Sequence, residues 1–382
     1  MGEKKVDIWH NILWSRYKGG VFSALHNIND PEEFDIRFFQ MAETEGNRQT
    51  LSGIDESYHT YPYTLLFKGA LDLVDFKTRL REIIRVTKES NADLSVLSGY
   101  EKPEVWAQIA LLKWRRKKIM MFCDSTAFDR PENFIKKMIK TIIFRSVDGV
   151  FGYGTRARAY TMSYGVSGDH WHKRCQAAAL PHDYNTALVL QKRLKLAAPA
   201  EAPRFLYVGR LSQEKNLGRL LEAYAIVKRA IPAAQLMIVG GGLQQAALEK
   251  QAAELGFDPM QIFVGSKAGQ DLYDEYAKAT CFVLPSLSEP WGLVVNEALH
   301  YGCPVIVSDR CGCVPELVIE GETGFVHDPY SVDDLAKKML KAVGQFNDTS
   351  KTALSCITHM QNYTSETAAI QILDGIRATL NR

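Results

Sequence analysis

Cys281-Phe-Val-Leu-Pro285-Ser-Leu-Ser-Glu289-Pro-Trp-Gly292-Leu-Val-Val-Asn-Glu297 opens as an apolar run, breaks between Pro285 and Gly292, and resumes at helical spacing. A short apolar run closed by such a loop is a buried parallel strand. A helix is expected from about Leu293 to His300. Its first amides have no partner inside the helix and point back toward the strand end, where they stabilise an anion such as a diphosphate. Gly292 lets the backbone come close to that anion. Glu289 falls in the loop and Glu297 about one turn inside the helix, so the two carboxylates face different parts of one ligand.

Outward from this stretch the pattern repeats. Arg204 to Gly209, Gln235 to Val239, Ile262 to Gly265 and Val305 to Ser308 read as further strands. Between the first two, Leu217, Leu220, Leu221, Tyr224 and Val227 recur at helical spacing. Strands alternating with helices predict an open parallel sheet covered on both faces, with ligands beyond the carboxyl ends of its strands. The first half reads the same way in outline: strands at Val6–His10, Asp93–Leu97, Lys118–Phe122 and Gly149–Gly152, with Lys18-Gly19-Gly20 in a loop that opens a helix. Residues 40–62 show little periodicity and read as an irregular insertion or mobile loop. Residues 191–203, rich in Lys, Ala and Pro, read as an interdomain linker. The expected organisation is an N-terminal domain over 1–190, a C-terminal domain over 200–365, and a last helix over 365–382 that returns to the first.

Gly209-Arg210-Leu-Ser-Gln-Glu-Lys215 follows the first strand of the C-terminal half. It brings a guanidinium and an ammonium to the same sheet edge, one a two-donor grip for phosphate oxygens and the other a mobile point charge. The ligand expected there carries phosphates beside hydroxyl-rich groups. Glu289 and Glu297, with seven residues between them, resemble the Glu-x7-Glu signature of retaining family-4 glycosyltransferases of the GT-B fold. Gly209 through Asn216, Val239-Gly-Gly-Gly242, and the run from Pro304 through Gly312 and Pro315-Glu316 to Gly324 are similar to that family in order and spacing, over about residues 204–340.

The resemblance implies two Rossmann-like domains facing a cleft, with a nucleotide sugar bound by the second. It implies that Glu297 binds ribose hydroxyls and Glu289 the hydroxyls of the transferred sugar. Arg210 and Lys215 stabilise the departing diphosphate. The backbone near Gly292, Leu293 and Val294 contacts sugar and phosphates, and Gly209 belongs to the same phosphate segment. Gly265 lies under the base, and Gly19 and Gly20 form a glycine loop over the phosphates. The expected reaction moves a hexose-type sugar from a UDP- or GDP-sugar to a hydroxyl acceptor with retention of configuration, for a saccharide or lipid-linked saccharide of the cell envelope or an exopolysaccharide. Fixed positive groups at the phosphate lower the barrier electrostatically. The C-terminal half contains no Asp-x-Asp pair, so no metal and no cofactor are expected. Other chemistry on this fold, namely nucleotide-sugar epimerisation or a phosphorylase, and a non-catalytic nucleotide-sugar-binding subunit remain as alternatives.

Where the family places a histidine in its first domain, this chain has Cys123-Asp124-Ser125, which makes Asp124 the candidate polar contact to sugar or acceptor. His10, Trp14 and Tyr17, beside the glycine pair, are acceptor contacts or packed aromatics. Asp183 and Asn185 form a polar turn. Two basic stretches stand out: Lys113-Trp-Arg-Arg-Lys-Lys118, and residues 132–145, where Phe134, Ile135, Met138, Ile139, Ile142 and Ile143 share a helix with Lys136, Lys137 and Lys140. That helix either lies on an anionic membrane surface or packs in the core with a solvated lysine face.

The length of 382 residues is ample for two domains, and a net charge of +2 does not suggest nucleic acid as a partner. Seven cysteines, several in apolar runs, suggest reduced thiols in a cytoplasmic protein, peripheral on the inner face of the membrane if the basic helix docks there. Cys311 and Cys313 have no second ligand pair at zinc spacing. No apolar run is long enough to span a bilayer. The start lacks a secretory core, and Met1-Gly2 is followed by Val6 rather than the Ser or Thr of a myristoylation signal.

Overall fold

The structure is a computed structural model describing residues 3–46, 53–129 and 133–382. Its contacts divide the chain into two compact units, one of residues up to Ala179 together with Tyr363–Arg382, the other Leu180–Asn362.

The first unit is built on β1 (Lys4–Ile12), β2 (Phe34–Thr44), β3 (Tyr63–Ala70), β4 (Leu94–Leu97), β5 (Lys118–Cys123), β6 (Gly149–Gly152) and β7 (Trp171–Lys173). They form one parallel sheet in the order β3-β2-β1-β4-β5-β6-β7. β4 and β6 are buried throughout, as strands covered on both faces by crossover helices must be. The last helix, Ser365–Leu380, belongs to this unit. It packs on the helix Arg16–Ile28 and on β6 and β7, with Gly375 against the ring of Phe151 and Arg377 paired to Glu33 at 2.6 Å.

The second unit carries β8 (Arg204–Val208), β9 (Gln235–Val239), β10 (Cys281–Leu284), β11 (Val305–Ser308) and β12 (Gly324–His327), all parallel, in the order β12-β11-β10-β8-β9. Both sheets are therefore doubly wound. The chain leaves β1 to one side and returns to β4 on the other, and leaves β8 for β9 before returning to β10. At such a reversal, the loops beyond the carboxyl ends of the two central strands diverge and open a crevice.

Several expectations need correction. Residues 40–44 complete β2, whose buried Gln40, Met41 and Ala42 hide the strand alternation; residues 47–52 of the supposed insertion lie outside the described part. Lys18, Gly19 and Gly20 are not in a loop but inside the first turns of the helix Arg16–Ile28. Residues 262–265 do not form a strand of the sheet: the helix Pro259–Ile262 ends there, and a single bridge joins Phe263 to Ile238. The supposed linker contains the helix Thr186–Leu196, which belongs to the second unit. Its buried Arg193 donates Nη1 to the carbonyls of Tyr276 (3.1 Å), Ala277 (2.9 Å) and Ala279, which anchors the segment. The division accordingly falls between Ala179 and Leu180, ahead of 190. Strands β2, β3, β7 and β12 were not expected. Met1 and Gly2, and Glu132 of the basic stretch, lie outside the described residues.

Candidate functional site

In the second unit the loops after β8 and β10 meet at the switch point. Asn216 fixes their approach: in the left-handed region at φ 59°, it donates Nδ2 to the carbonyls of Pro285 (3.1 Å) and Pro329 (2.9 Å). The Leu287 amide adds a bond to the carbonyl of Glu214 at 2.8 Å. The two segments read from the sequence as a phosphate grip and a carboxylate loop are thus stitched side by side. Lys215 Nζ pairs directly with Glu289 Oε2, both side chains largely buried. Arg210 reaches outward and pairs with Glu214 at 3.2 Å, its side chain 63% exposed.

The glycines after β9 explain how the loops fit. A Cβ on Gly240 would lie 1.9 Å from the carbonyl oxygen of Gly209, so the two turns can cross only as glycine. Gly265 closes the same corner, its carbonyl accepting from the Gly240 amide at 2.9 Å, with open space where a Cβ would stand.

Gly292 has φ +99° and stands as the N-cap of the helix Leu293–His300, where no side chain caps the helix start. The amides around Leu293 and Val294 therefore remain available to a ligand. The loop is held by bonds from Gly312 N to the Glu289 carbonyl (2.8 Å), Cys313 N to that of Trp291 (3.0 Å) and Trp291 Nε1 to Asn296 Oδ1 (2.7 Å). Glu297 rests against aromatic rings and accepts from Tyr276 Oη at 3.0 Å, while Tyr276 stacks parallel to Tyr301 at 6.0 Å. Burial pushes the Glu297 carboxyl up to about 7, and the Tyr276 hydroxyl only partly offsets this. A ligand hydroxyl donating to Glu297 favours the ionised form. Tyr276 and Glu214 escaped the sequence reading. The first has no local signal, whereas Glu214 precedes Lys215 in the segment that ends at Asn216.

In the first unit, a cavity of about 150 Å³ opens at the carboxyl ends of β1, β4, β5 and β6. It brings together His10, Tyr17 and Asp124, and adds Lys18, Ser98 and Tyr153; Trp14 is not among its lining residues. His10 Nδ1 lies 3.0 Å from the carbonyl of Ile12 and 3.2 Å from Gln40 Oε1. Gln40 in turn donates Nε2 to Tyr61. Both neighbours of Nδ1 are acceptors, so Nδ1 carries the proton and Nε2 is left as an acceptor. Burial, with Lys18 nearby, holds the imidazole neutral by lowering its pKa well below the usual range. Gly19 and Gly20 do not line this cavity. A Cβ on Gly19 would strike the ring of His59 at 2.7 Å, and one on Gly20 would approach Ser365 Oγ at 3.2 Å, so both serve close packing. Asn185 caps the helix Thr186–Leu196 by accepting from the amides of Ala187 and Leu188.

The helix Phe134–Ser146 splits the apolar stripe read from the sequence. Ile143 and Phe144 are buried and Ile139 packs partly against the core, whereas Phe134 (81% exposed), Ile135 (62%), Met138 (49%) and Ile142 (60%) face solvent. Lys140 is drawn inward, donating to Tyr160 Oη at 2.6 Å. Lys113 and Lys118 of the other basic stretch reach Asp148, just past this helix, at 3.6 and 3.8 Å. All seven cysteines are free and buried. Among the described residues no helix is long and apolar enough to cross a membrane.

Residues 190–351 match the family described as glycosyl transferases group 1. A sulfoquinovosyl transferase of Arabidopsis thaliana is 34% identical over 153 residues, 39% of this chain and 28% of that protein. A glycogen synthase of Mycobacterium tuberculosis is 38% identical over 138 residues, 36% of this chain and 32% of that protein. The chain thus spans about a third of the length of these relatives. Among solved structures, Anabaena HepE in complex with UDP superposes with a TM-score of 0.72 at 18% identity, over 98% of this chain and 99% of HepE. That likeness extends the fold, GT-B with two Rossmann-like units, to the whole chain. The unit holding Arg210, Lys215, Glu289 and Glu297 is therefore the part that matches the glycosyl transferases group 1 family, within a chain of the GT-B fold.

Proposed function

We propose that the chain is a retaining, metal-independent glycosyltransferase that moves a hexose-type sugar from a UDP- or GDP-sugar to a hydroxyl acceptor. The observation that carries this reading is the stitching of Lys215 and Glu289 beside the uncapped start of the helix Leu293–His300, with Glu297 one turn further on. Breaking the anomeric bond leaves negative charge on the diphosphate and positive charge on the sugar. Lys215, Arg210 and the helix amides answer the first, and that answer needs no metal ion. Glu289 orients sugar hydroxyls and keeps Lys215 in place, and Glu297 takes the ribose. In this reading the acceptor attacks from the face the diphosphate leaves, so configuration is retained. A saccharide or lipid-linked saccharide is the acceptor class we favour.

Nucleotides and nucleotide sugars tested by thermal stabilisation of the full chain check the donor site. A ligand at about 100 times its dissociation constant adds about 2.7 kcal/mol. Product analysis then separates the chemistries: a new glycosidic bond of unchanged anomeric configuration supports transfer, whereas an epimer formed without acceptor, or dependence on inorganic phosphate, sinks it.

The solvent-facing Phe134, Ile135, Met138 and Ile142, flanked by Lys136, Lys137 and Arg145 on a helix without a carboxylate, favour docking on an anionic bilayer over a core-packed role. Binding to anionic vesicles that weakens with salt, and is lost in Ile135→Glu, is the expected result. Equal binding to neutral vesicles, or none, would end this part of the proposal.

A further inference from the structure

The cavity of the first unit is lined by one buried cation, Lys18, and backed by a second, Arg174, which shares its partner Tyr153. Lys18, 5% exposed, donates Nζ to Tyr153 Oη at 2.8 Å. Arg174, 0% exposed, donates Nη2 to the same oxygen at 2.7 Å and to Gln176 Oε1 at 3.4 Å. Two cations therefore share one phenol oxygen, and both lie 4.9 Å from the ring centre of Phe122. Nε and Nη1 of Arg174 are buried without any hydrogen-bond partner. No ion pair within 4.0 Å joins either cation to a carboxylate among the described residues. Burial and the neighbouring Arg174 together hold the Lys18 ammonium well below its usual range, and Asp124, an exposed residue at the rim, favours the charged form. Glu45, also at the cavity, sits 4.0 Å from Lys102.

Burying two like charges with donors left over is costly unless an anion completes the site. Arg193, a structural arginine, also leaves Nε without a partner but spends Nη1 on three carbonyls of its own unit, whereas Arg174 leaves both Nε and Nη1 over. Ser15, Tyr17 and Lys18 also place the start of the helix Arg16–Ile28 at the cavity wall, where its dipole favours negative charge. His10 Nε2 and Asp124 stand beside it as acceptors for hydroxyls.

We propose that this cavity receives an anionic substituent of the acceptor, a carboxylate or phosphate, held by Lys18 with Arg174 behind it, while His10 and Asp124 take neighbouring hydroxyls. The acceptor is then an acidic sugar or a sugar phosphate rather than a neutral one. The inference rests on the second unit's taking the donor, and it concerns residues that the donor reading does not use.

The test is isothermal titration of the full chain with glucuronate, glucose and inorganic phosphate, each with and without saturating UDP. Glucuronate and phosphate are expected to bind at least tenfold more tightly than glucose, and to do so equally well with UDP present. Lys18→Met should weaken both anions at least tenfold and leave UDP affinity within twofold. Asp124→Asn, a rim change that spares the interior, should tighten inorganic phosphate, which has no sugar hydroxyl for Asp124 to hold, two- to threefold. No preference for glucuronate over glucose overturns the proposal, as does anion binding unchanged in Lys18→Met or phosphate binding not improved in Asp124→Asn. Exclusion of phosphate by UDP assigns the cavity to the donor's diphosphate and overturns it as well. Failure of UDP to bind at all counts against the donor site alone, because the anion titrations remain readable.

Discussion

Glu297→Gln is expected to make the protein more stable at pH 8 and worse at binding nucleotides. Burial pushes the native carboxyl up to about 7, above its ordinary 4.5. Between those values the folded chain keeps a proton that the unfolded chain has lost, so native stability falls as pH rises through this window and levels off above it. At about 1.36 kcal/mol per pH unit, the penalty reaches about 3 kcal/mol at most. Part of the side chain meets solvent, which lowers the expected figure to about 1–3 kcal/mol. Glutamine keeps the shape and an oxygen for the Tyr276 hydroxyl but carries no charge, so it escapes the penalty. For a unit of this size the gain appears as roughly 3–8 °C in melting temperature. Scanning calorimetry of the two proteins from pH 4.5 to 8 at fixed ionic strength is the assay. The melting temperatures should coincide at the acid end and separate by pH 8, with the variant higher. A variant that melts lower at pH 8, or an offset independent of pH, would refute the reasoning. In the same samples nucleotide affinity should drop about ten- to a hundredfold, as expected when charged hydrogen bonds to ribose are lost.

Three other outcomes are expected. Lys215→Met leaves Glu289 without its cation and the leaving group without its neutralising charge; steady-state turnover should fall about 10²- to 10³-fold, and activity within tenfold of wild type would contradict the assignment. Gly240→Ala drives a Cβ into backbone, not into a movable side chain, and should cost about 3 kcal/mol or more, visible as a lower denaturant midpoint. Arg193→Met strips three buried carbonyls of their donor and should destabilise the second unit by about 3 kcal/mol in the same measurement, with donor affinity in the surviving folded protein unchanged.

The second unit was the more legible because its candidate site is written in local sequence. Strand, loop and helix start follow one another within Cys281–Glu297, and Gly209–Asn216 does the same after β8. The first unit hides its logic in two ways. Gln40 and Asp7 are polar residues buried inside β2 and β1, satisfied by Tyr61 and by Arg37 and Ser90, so they break the apolar pattern that marks a strand. Its cavity is assembled from positions as distant as Lys18 and Tyr153, with Arg174 bonded behind them, a partnership no spacing reveals. The glycine pair has a packing reason that the sequence hides: a Cβ on Gly19 or Gly20 would press on His59 or Ser365. The helix Thr186–Leu196 was obscured by the lysines and alanines that make its segment look like a tether, although Arg193 nails it to the second unit.

The return of the chain to its first unit bears on how the protein is made. The helix Ser365–Leu380 covers β6 and β7 and supplies Gly375 to the face of Phe151 and Arg377 to Glu33. During synthesis, the sheet that starts at Lys4 must wait for residues some 360 positions later before that face is closed. The second unit, contiguous from Leu180 to Asn362, needs nothing that follows it. The order of maturation is thus the reverse of the order of translation: the later-made unit can finish first, and the earlier one spends most of elongation with an apolar flank that chaperones can recognise.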